Sequence, residues 1–330
     1  MTSASRLAIV GGGAWGTALA NVAATAGHDV ILWMRDAAAA EEIAAARVNA
    51  RYLPGIPLHR RVRPTSDLSE LSLASCALLV TPAQTVRAMA RMLRDVLPGD
   101  APLVICAKGI ERGSGLFLSD VVLQERPHSP VAVLSGPSFA DDVARGLPTA
   151  VTLAAQDGTL AARLASTLSG PTFRIYHGTD LRGVEIGGAA KNVLAIACGA
   201  VVGCGLGESA KAALVARGFA ELLRFAAAYG GASETLMGLS GLGDLVLTCS
   251  SAQSRNFAFG ERLGRGIPPD QAAQGKLAEG AFTAEVLVGL ARARGVDMPV
   301  AQTVDAVLQG SLTVAKAVDA LMNRPVKREH

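Results

Sequence analysis

Through roughly the first 180 residues, short β-rich apolar runs alternate with stretches of helical spacing, the pattern of a parallel sheet wrapped by helices. The runs are Leu7–Val10, Val30–Trp33, Ala77–Val80, Leu103–Ala107 and Val131–Leu134, each followed by glycine, proline or a polar turn. The strand signal ends with Phe173–Tyr176. From about Leu181 the chain turns Ala/Leu-rich, with glycines at 187–188, 230–231, 238, 241, 243, 264, 266 and 295, and reads as helices joined by turns. The pattern predicts an α/β protein with a sheet domain over residues 1–185 and an all-helical domain over 186–330. Two domains also suit 330 residues at about 150 per domain.

Composition narrows the function classes. Half the residues are hydrophobic and the mean hydropathy is positive, which excludes a disordered chain. The 31 Lys+Arg and 28 Asp+Glu leave a formal charge of only +3, so no nucleic-acid partner is expected. The longest charge-free apolar stretch, Asn192 to Gly207, has sixteen residues and four glycines, whereas a spanning helix needs about twenty residues; no membrane span is expected. The N-terminus enters an apolar strand without the basic start or cleavage pattern of a signal peptide, so a cytoplasmic location is expected. Five cysteines (76, 106, 198, 204, 249) without Cys-x-x-Cys, and five unclustered histidines, point to neither a disulfide framework nor a metal site.

Gly11-Gly12-Gly13-Ala14-Trp15-Gly16 lies between the first strand and a helix start, as a Gly-x-Gly-x-x-Gly turn. Gly11 permits the tight turn, Gly13 lets a pyrophosphate approach the backbone, and Gly16 lets the helix pack on the strand. The phosphates would sit at the helix N-terminus, where free N–H groups and the dipole favour negative charge. A second strand ends at Arg35-Asp36, with Asp36 twenty residues beyond Gly16. The context specifies a Rossmann-like dinucleotide site. Arg35 suits the 2′-phosphate of NADP and Asp36 the ribose 2′-hydroxyl of NAD; the reading favours NADP(H) and leaves NAD(H) open, the lesser alternative being that the two are solvated loop charges of which only one is functional.

Ligands of open parallel sheets collect at the carboxyl ends of the strands. The Thr81-Pro82 turn, Lys108 after the fourth run, and Gly136 with Ser138 after the fifth converge there. Lys108 is either a solvated surface group or a neighbour of the nicotinamide. Lys191 opens an apolar helical run, so desolvation should lower its pKa toward a range where it exchanges a proton, unless it snorkels to solvent. A carbonyl reduction needs such an acid, because hydride arriving at carbon leaves an alkoxide on oxygen. Arg60-Arg61-Val62-Arg63 lies in a predicted loop and reads as a solvated face.

Nine stretches in register resemble the bacterial-type NAD(P)-dependent glycerol-3-phosphate dehydrogenases: Gly11–Ala20, Leu32–Asp36, Asn49–Ile56, Ala107–Glu111, Leu134–Ala140, Gly187–Asn192, Gly238–Thr248, Gln253–Asn256 and Leu277–Gly280. The resemblance implies reversible reduction of dihydroxyacetone phosphate to sn-glycerol 3-phosphate, a glycerophospholipid precursor, with NADPH or NADH. It makes Lys191 the proton donor and acceptor, places Lys108 beside cofactor and substrate, and adds Asp244 to the catalytic set. Gly136, Ser138, Asp244, Ser254, Arg255 and Asn256 match substrate-contacting positions. Ala14, Trp15, Arg35, Lys108, Ala140, Arg255, Leu277 and Glu279 match cofactor-contacting ones. Ala14 departs from the serine common there, removing one side-chain hydrogen bond. The residues make chemical sense as well: Arg255-Asn256 would offer a fork of charge and an amide to a phosphate dianion, although Ser254 and Asp244 also read as helix caps.

Two other readings stand beside this one: a β-hydroxyacid dehydrogenase of related architecture, which would not need the Ser254-Arg255-Asn256 cluster, and a non-catalytic dinucleotide sensor. A homodimer is expected from the apolar helical half.

Overall fold

The computed structural model describes residues 5–275 and 278–322. Eight strands form one sheet: β1 (Arg6–Val10), β2 (Asp29–Trp33), β3 (Val62–Thr65), β4 (Cys76–Leu79), β5 (Leu103–Ile105), β6 (Val131–Ser135), β7 (Thr149–Ala155) and β8 (Phe173–Gly178). Their order is β3-β2-β1-β4-β5-β6-β7-β8. Every residue of β4, β5 and β6 is buried, because helices cover both faces, and this is why they read as unbroken apolar runs. Val10 pairs with both Trp33 and Leu79, Leu79 with Ile105, and Ile105 with Val133. The carboxyl ends are therefore level, and the chain direction switches sides at β1, which opens a crevice between β1 and β4.

Two strands and one direction differ from the sequence expectation. Val62–Thr65 is the edge strand β3, not a loop: its apolar positions alternate, and Pro64 is tolerated because an edge strand can forgo a ladder donor. The arginines around it are solvated as expected, with Arg61 bonded to Gly27 O and Asp29, and Arg63 paired with Glu70. Strand β7 is Ala-rich and carries no clear strand signal. It runs antiparallel to β6, with β8 parallel to it, so the sheet is parallel only through its first six strands.

Every regular element described from Leu181 onward is helical. The central helix, Leu181–Gly203, has 23 residues and includes an 18-residue window with a mean hydropathy of 1.6, long and apolar enough by composition to cross a bilayer, yet 72% of that window is buried in protein. Such an all-round apolar helix is a core helix, enclosed by its neighbours. Leu181 and Val184 in its first turn pack into the sheet's core, whereas Ile186 and beyond build a second core with Gly207–Ala228, Arg255–Gly264 and Glu279–Ala293. Glu185 fastens the junction by accepting from Ser119 N and Oγ, both at 2.8 Å, and burial lifts its carboxyl to about 7. Glu221 likewise accepts from the N-terminal amides of Pro299–Leu308, and burial lifts it to about 7.

Candidate active site

The glycine turn follows β1 and leads into the Ala14–Thr25 helix. Gly11 has φ +126°, and a Cβ there would lie 2.6 Å from Val80 O; a Cβ on Gly16 would overlap Gly11 O. Gly13 faces open space and is the N-cap without any side-chain cap, so the first helical amides are free for an anion. The turn fits a dinucleotide pyrophosphate. Ala14 and Trp15 open that helix, and Trp15 leans on Phe173 with ring centroids 6.2 Å apart. Arg35 is exposed at the end of β2 and has no side-chain partner among the described residues, whereas Asp36 caps the Ala37–Ala46 helix by accepting from Ala39 N at 3.2 Å. Asn49, not singled out from the sequence, braces the turn by donating to Gly12 O and Thr17 Oγ1.

Across the crevice, three chain segments meet at one carboxylate. Lys191 Nζ donates to Asp244 Oδ1 at 2.6 Å and to Thr248 Oγ1 at 2.7 Å, while Lys108 Nζ donates to Asp244 Oδ2 at 2.7 Å and to Gly136 O at 3.1 Å. Ser138 Oγ donates to the same Gly136 oxygen. Lys191 and Asp244 are buried and Lys108 is partly exposed, so the group opens to the crevice on the Lys108 side. Burial pulls the Lys191 ammonium down to about 8, against the raising effect of Asp244 and with help from the charge of Lys108. For Asp244 burial pushes upward, but the two ammonium groups outweigh it and hold the carboxyl below its usual range. Thr248, also missed in the sequence, sits four residues after Asp244 on the same helical face, a spacing that could have flagged it.

Backbone-to-backbone packing sets the distance from this cluster to the Arg255–Gly264 helix. A Cβ on Gly199 would overlap Phe257 O, and one on Gly260 would overlap Ile196 O, so this helix and the central one touch through glycines. Ser254 caps the helix, accepting from Phe257 N at 3.2 Å, and buried Asn256 accepts from Gly280 N at 2.9 Å through Oδ1. A Cβ on Gly280 would lie 2.5 Å from Asn192 O and 3.0 Å from Asn256 Oδ1, which brings Asn256 beside the neighbour of Lys191. Arg255 is exposed at the helix start. Glu279 Oε1 accepts from Ala83 N at 3.2 Å, linking the helical half to the end of β4, and Arg255 acts electrostatically on it. Ala140 begins a short helix after β6. Leu277 lies outside the described residues. Arg35 stands apart from the lysine cluster, on the opposite side of β1.

The N-terminal family model of NAD-dependent glycerol-3-phosphate dehydrogenase matches residues 6–161, and the C-terminal one residues 180–319. The chain is 62% identical to the NAD(P)+ glycerol-3-phosphate dehydrogenase of Methylobacterium radiotolerans, over 100% of this chain and 99% of that one. It is 59% identical to the protein of the same name from Azorhizobium caulinodans, over 100% of both. The crystal structure of the glycerol-3-phosphate dehydrogenase of Coxiella burnetii superposes with a TM-score of 0.93 at 38% identity, covering 97% of this chain and 99% of that one.

Proposed function

The chain belongs to the NAD(P)-dependent glycerol-3-phosphate dehydrogenases, and on that premise we propose that the lysine pair and its shared carboxylate carry the family's reaction, the reversible reduction of dihydroxyacetone phosphate to sn-glycerol 3-phosphate. When bound, the reduced nicotinamide supplies the hydride. An ammonium has three hydrogens; Lys191 commits two of them, to Asp244 and Thr248, and keeps one for the substrate carbonyl oxygen. It donates its proton there as negative charge develops and recovers it in the reverse direction. Lys108 also has two hydrogens engaged and one to offer the substrate. Asp244 fixes both amines, and two cations around one anion leave the pocket net positive for a phosphate dianion.

Arg255 supplies the forked contact to the substrate phosphate. Gly136, Ser138, Ser254 and Asn256 frame the substrate. Gly11, Gly13, Ala14, Trp15 and Gly16 would hold the cofactor's pyrophosphate and Arg35 its adenosine ribose, with Ala140 and Glu279 meeting it further along, where the family resemblance also assigns Leu277. The chain divides between residues 185 and 186, one turn into the central helix. The protein works in the cytoplasm as a homodimer joined through the helical half.

One observation carries this reading: Lys191 and Lys108, from separate halves, both bond the one buried carboxylate of Asp244. Following NADPH absorbance with dihydroxyacetone phosphate and with β-keto acids tests it. Turnover of the phosphorylated ketone, with a KM that rises at least tenfold in Arg255→Ala, is expected; turnover of the keto acid alone would overturn it.

A further inference from the structure

Lys108 rides on the connection from β5 to the Leu118–Glu125 helix. The middle of that connection is held from the sheet half, where Gln84 donates to Ile110 O and accepts from Arg112 N, and Arg87 pairs with Glu111. Its two ends are held from the helical half. Ile110 and Phe117 bridge across it and are buried in the helical core, and the Arg182 guanidinium lies 4.0 Å over the Phe117 ring. The helix that follows has no cap of its own, since Phe117 at its N-cap position offers no side-chain acceptor. Its orphan amide at Ser119 is satisfied from outside, by Glu185 Oε1, while Ser119 Oγ donates to Glu185 Oε2.

The central helix therefore meets the Lys108 connection at three successive levels, three residues apart. Glu185 caps its far end, a Cβ on Gly188 would lie 3.5 Å from Lys108 Cγ, and Lys191 shares Asp244 with the Lys108 ammonium. Apolar contacts such as those of Ile110 and Phe117 are non-directional and fix no register, whereas the paired bonds to Ser119 do. Arg182 and Asp120, the charged groups beside Glu185, bond each other. We propose that Glu185 is a positioning residue for Lys108: by capping the helix that ends the connection, it sets from the helix bearing Lys191 where the Lys108 ammonium meets Asp244 and the substrate. The distance between the two lysines is then fixed by one element rather than by the sheet. This rests on the role given to Lys108 above and adds the residue that holds it there.

Dihydroxyacetone phosphate reduction, followed by NADPH absorbance in Glu185→Ala and in the same change on a Lys108→Ala background, separates positioning from mere stability. Glu185→Ala leaves the Ser119 amide without an acceptor and lowers kcat/KM by about tenfold to a hundredfold, the scale of a small misplacement in a site. Glu185→Gln keeps an acceptor for the amide and a hydrogen for the hydroxyl, and restores most of the rate. On the Lys108→Ala background Glu185→Ala adds no further loss, because the group it positions is gone. An equal loss on both backgrounds, or no loss in Glu185→Ala, overturns the proposal. Where Glu185→Ala fails to fold, Ser119→Ala, which removes one of the two bonds, takes its place in the same comparison. A crystal structure of the folded variant reads the geometry even if Lys108→Ala is inactive: Lys108 Nζ is expected beyond hydrogen-bond reach of Asp244, and a retained 2.7 Å bond overturns the proposal. Lys108→Ala at the wild-type rate would instead refute the reading of Lys108 itself.

Discussion

Arg35 and Asp36 are neighbours with different jobs. The Asp36 carboxylate is engaged in capping its helix, while the guanidinium beside it is exposed and unpartnered among the described residues. Only Arg35 is therefore free to meet a 2′-phosphate. Arg35→Ala should raise the Kd for NADPH by about tenfold or more, as for a lost charge-assisted bond, and change that for NADH little, as read by cofactor fluorescence; equal losses would show that Arg35 does not read the ribose. The glycine turn, Lys108 and Lys191 were legible in the sequence because their chemistry is local: a turn that only glycine can make, and amines at a strand end or inside an apolar helix. Asn49 and Thr248 were not, since their roles depend on partners far along the chain or on the opposite wall of the site. Ser254 and Asp244 each read two ways. The structure shows Ser254 capping a helix, and Asp244 bonding both lysines.

The central helix and the Arg255–Gly264 helix set the spacing between the proton donor and the arginine, and their contact is made of backbone. Gly260→Ala forces the Ile196 carbonyl and its neighbours apart, at a cost of about 1–3 kcal/mol for overpacking, measurable by denaturant unfolding. It should also raise the KM for the phosphorylated substrate, because Arg255 rides on the displaced helix. Unaltered stability and KM would show that the crossing tolerates a methyl group. Helix-rich and sheet-rich regions were separable from the periodicity alone. Strand β3 escaped because its proline and charges look like a loop, and β7 because alanine and threonine favour no one element strongly. Its reversed direction follows from pairings among distant segments, which no local pattern encodes.

In the molecule as a whole, Lys108 comes from the sheet half while Lys191, Thr248 and Asp244 come from the helical half, so the site is complete only where the two cores meet. Glu185 and the Ala83–Glu279 bond hold that junction from two sides. Burial then brings the Lys191 ammonium to about 8, charged at neutral pH yet close to releasing its proton. The donor is intact below that value and lost above it, so dihydroxyacetone phosphate reduction should decline as pH rises through about 8. The most direct test is the kcat for this reduction across pH 6–10 in wild type and Lys191→Ala, with NADPH Kd measured on both. The account predicts a kcat lower by about 10²–10⁴-fold, loss of the alkaline limb, and nearly unchanged cofactor affinity in the variant. A variant that keeps the wild-type rate and pH profile would contradict it.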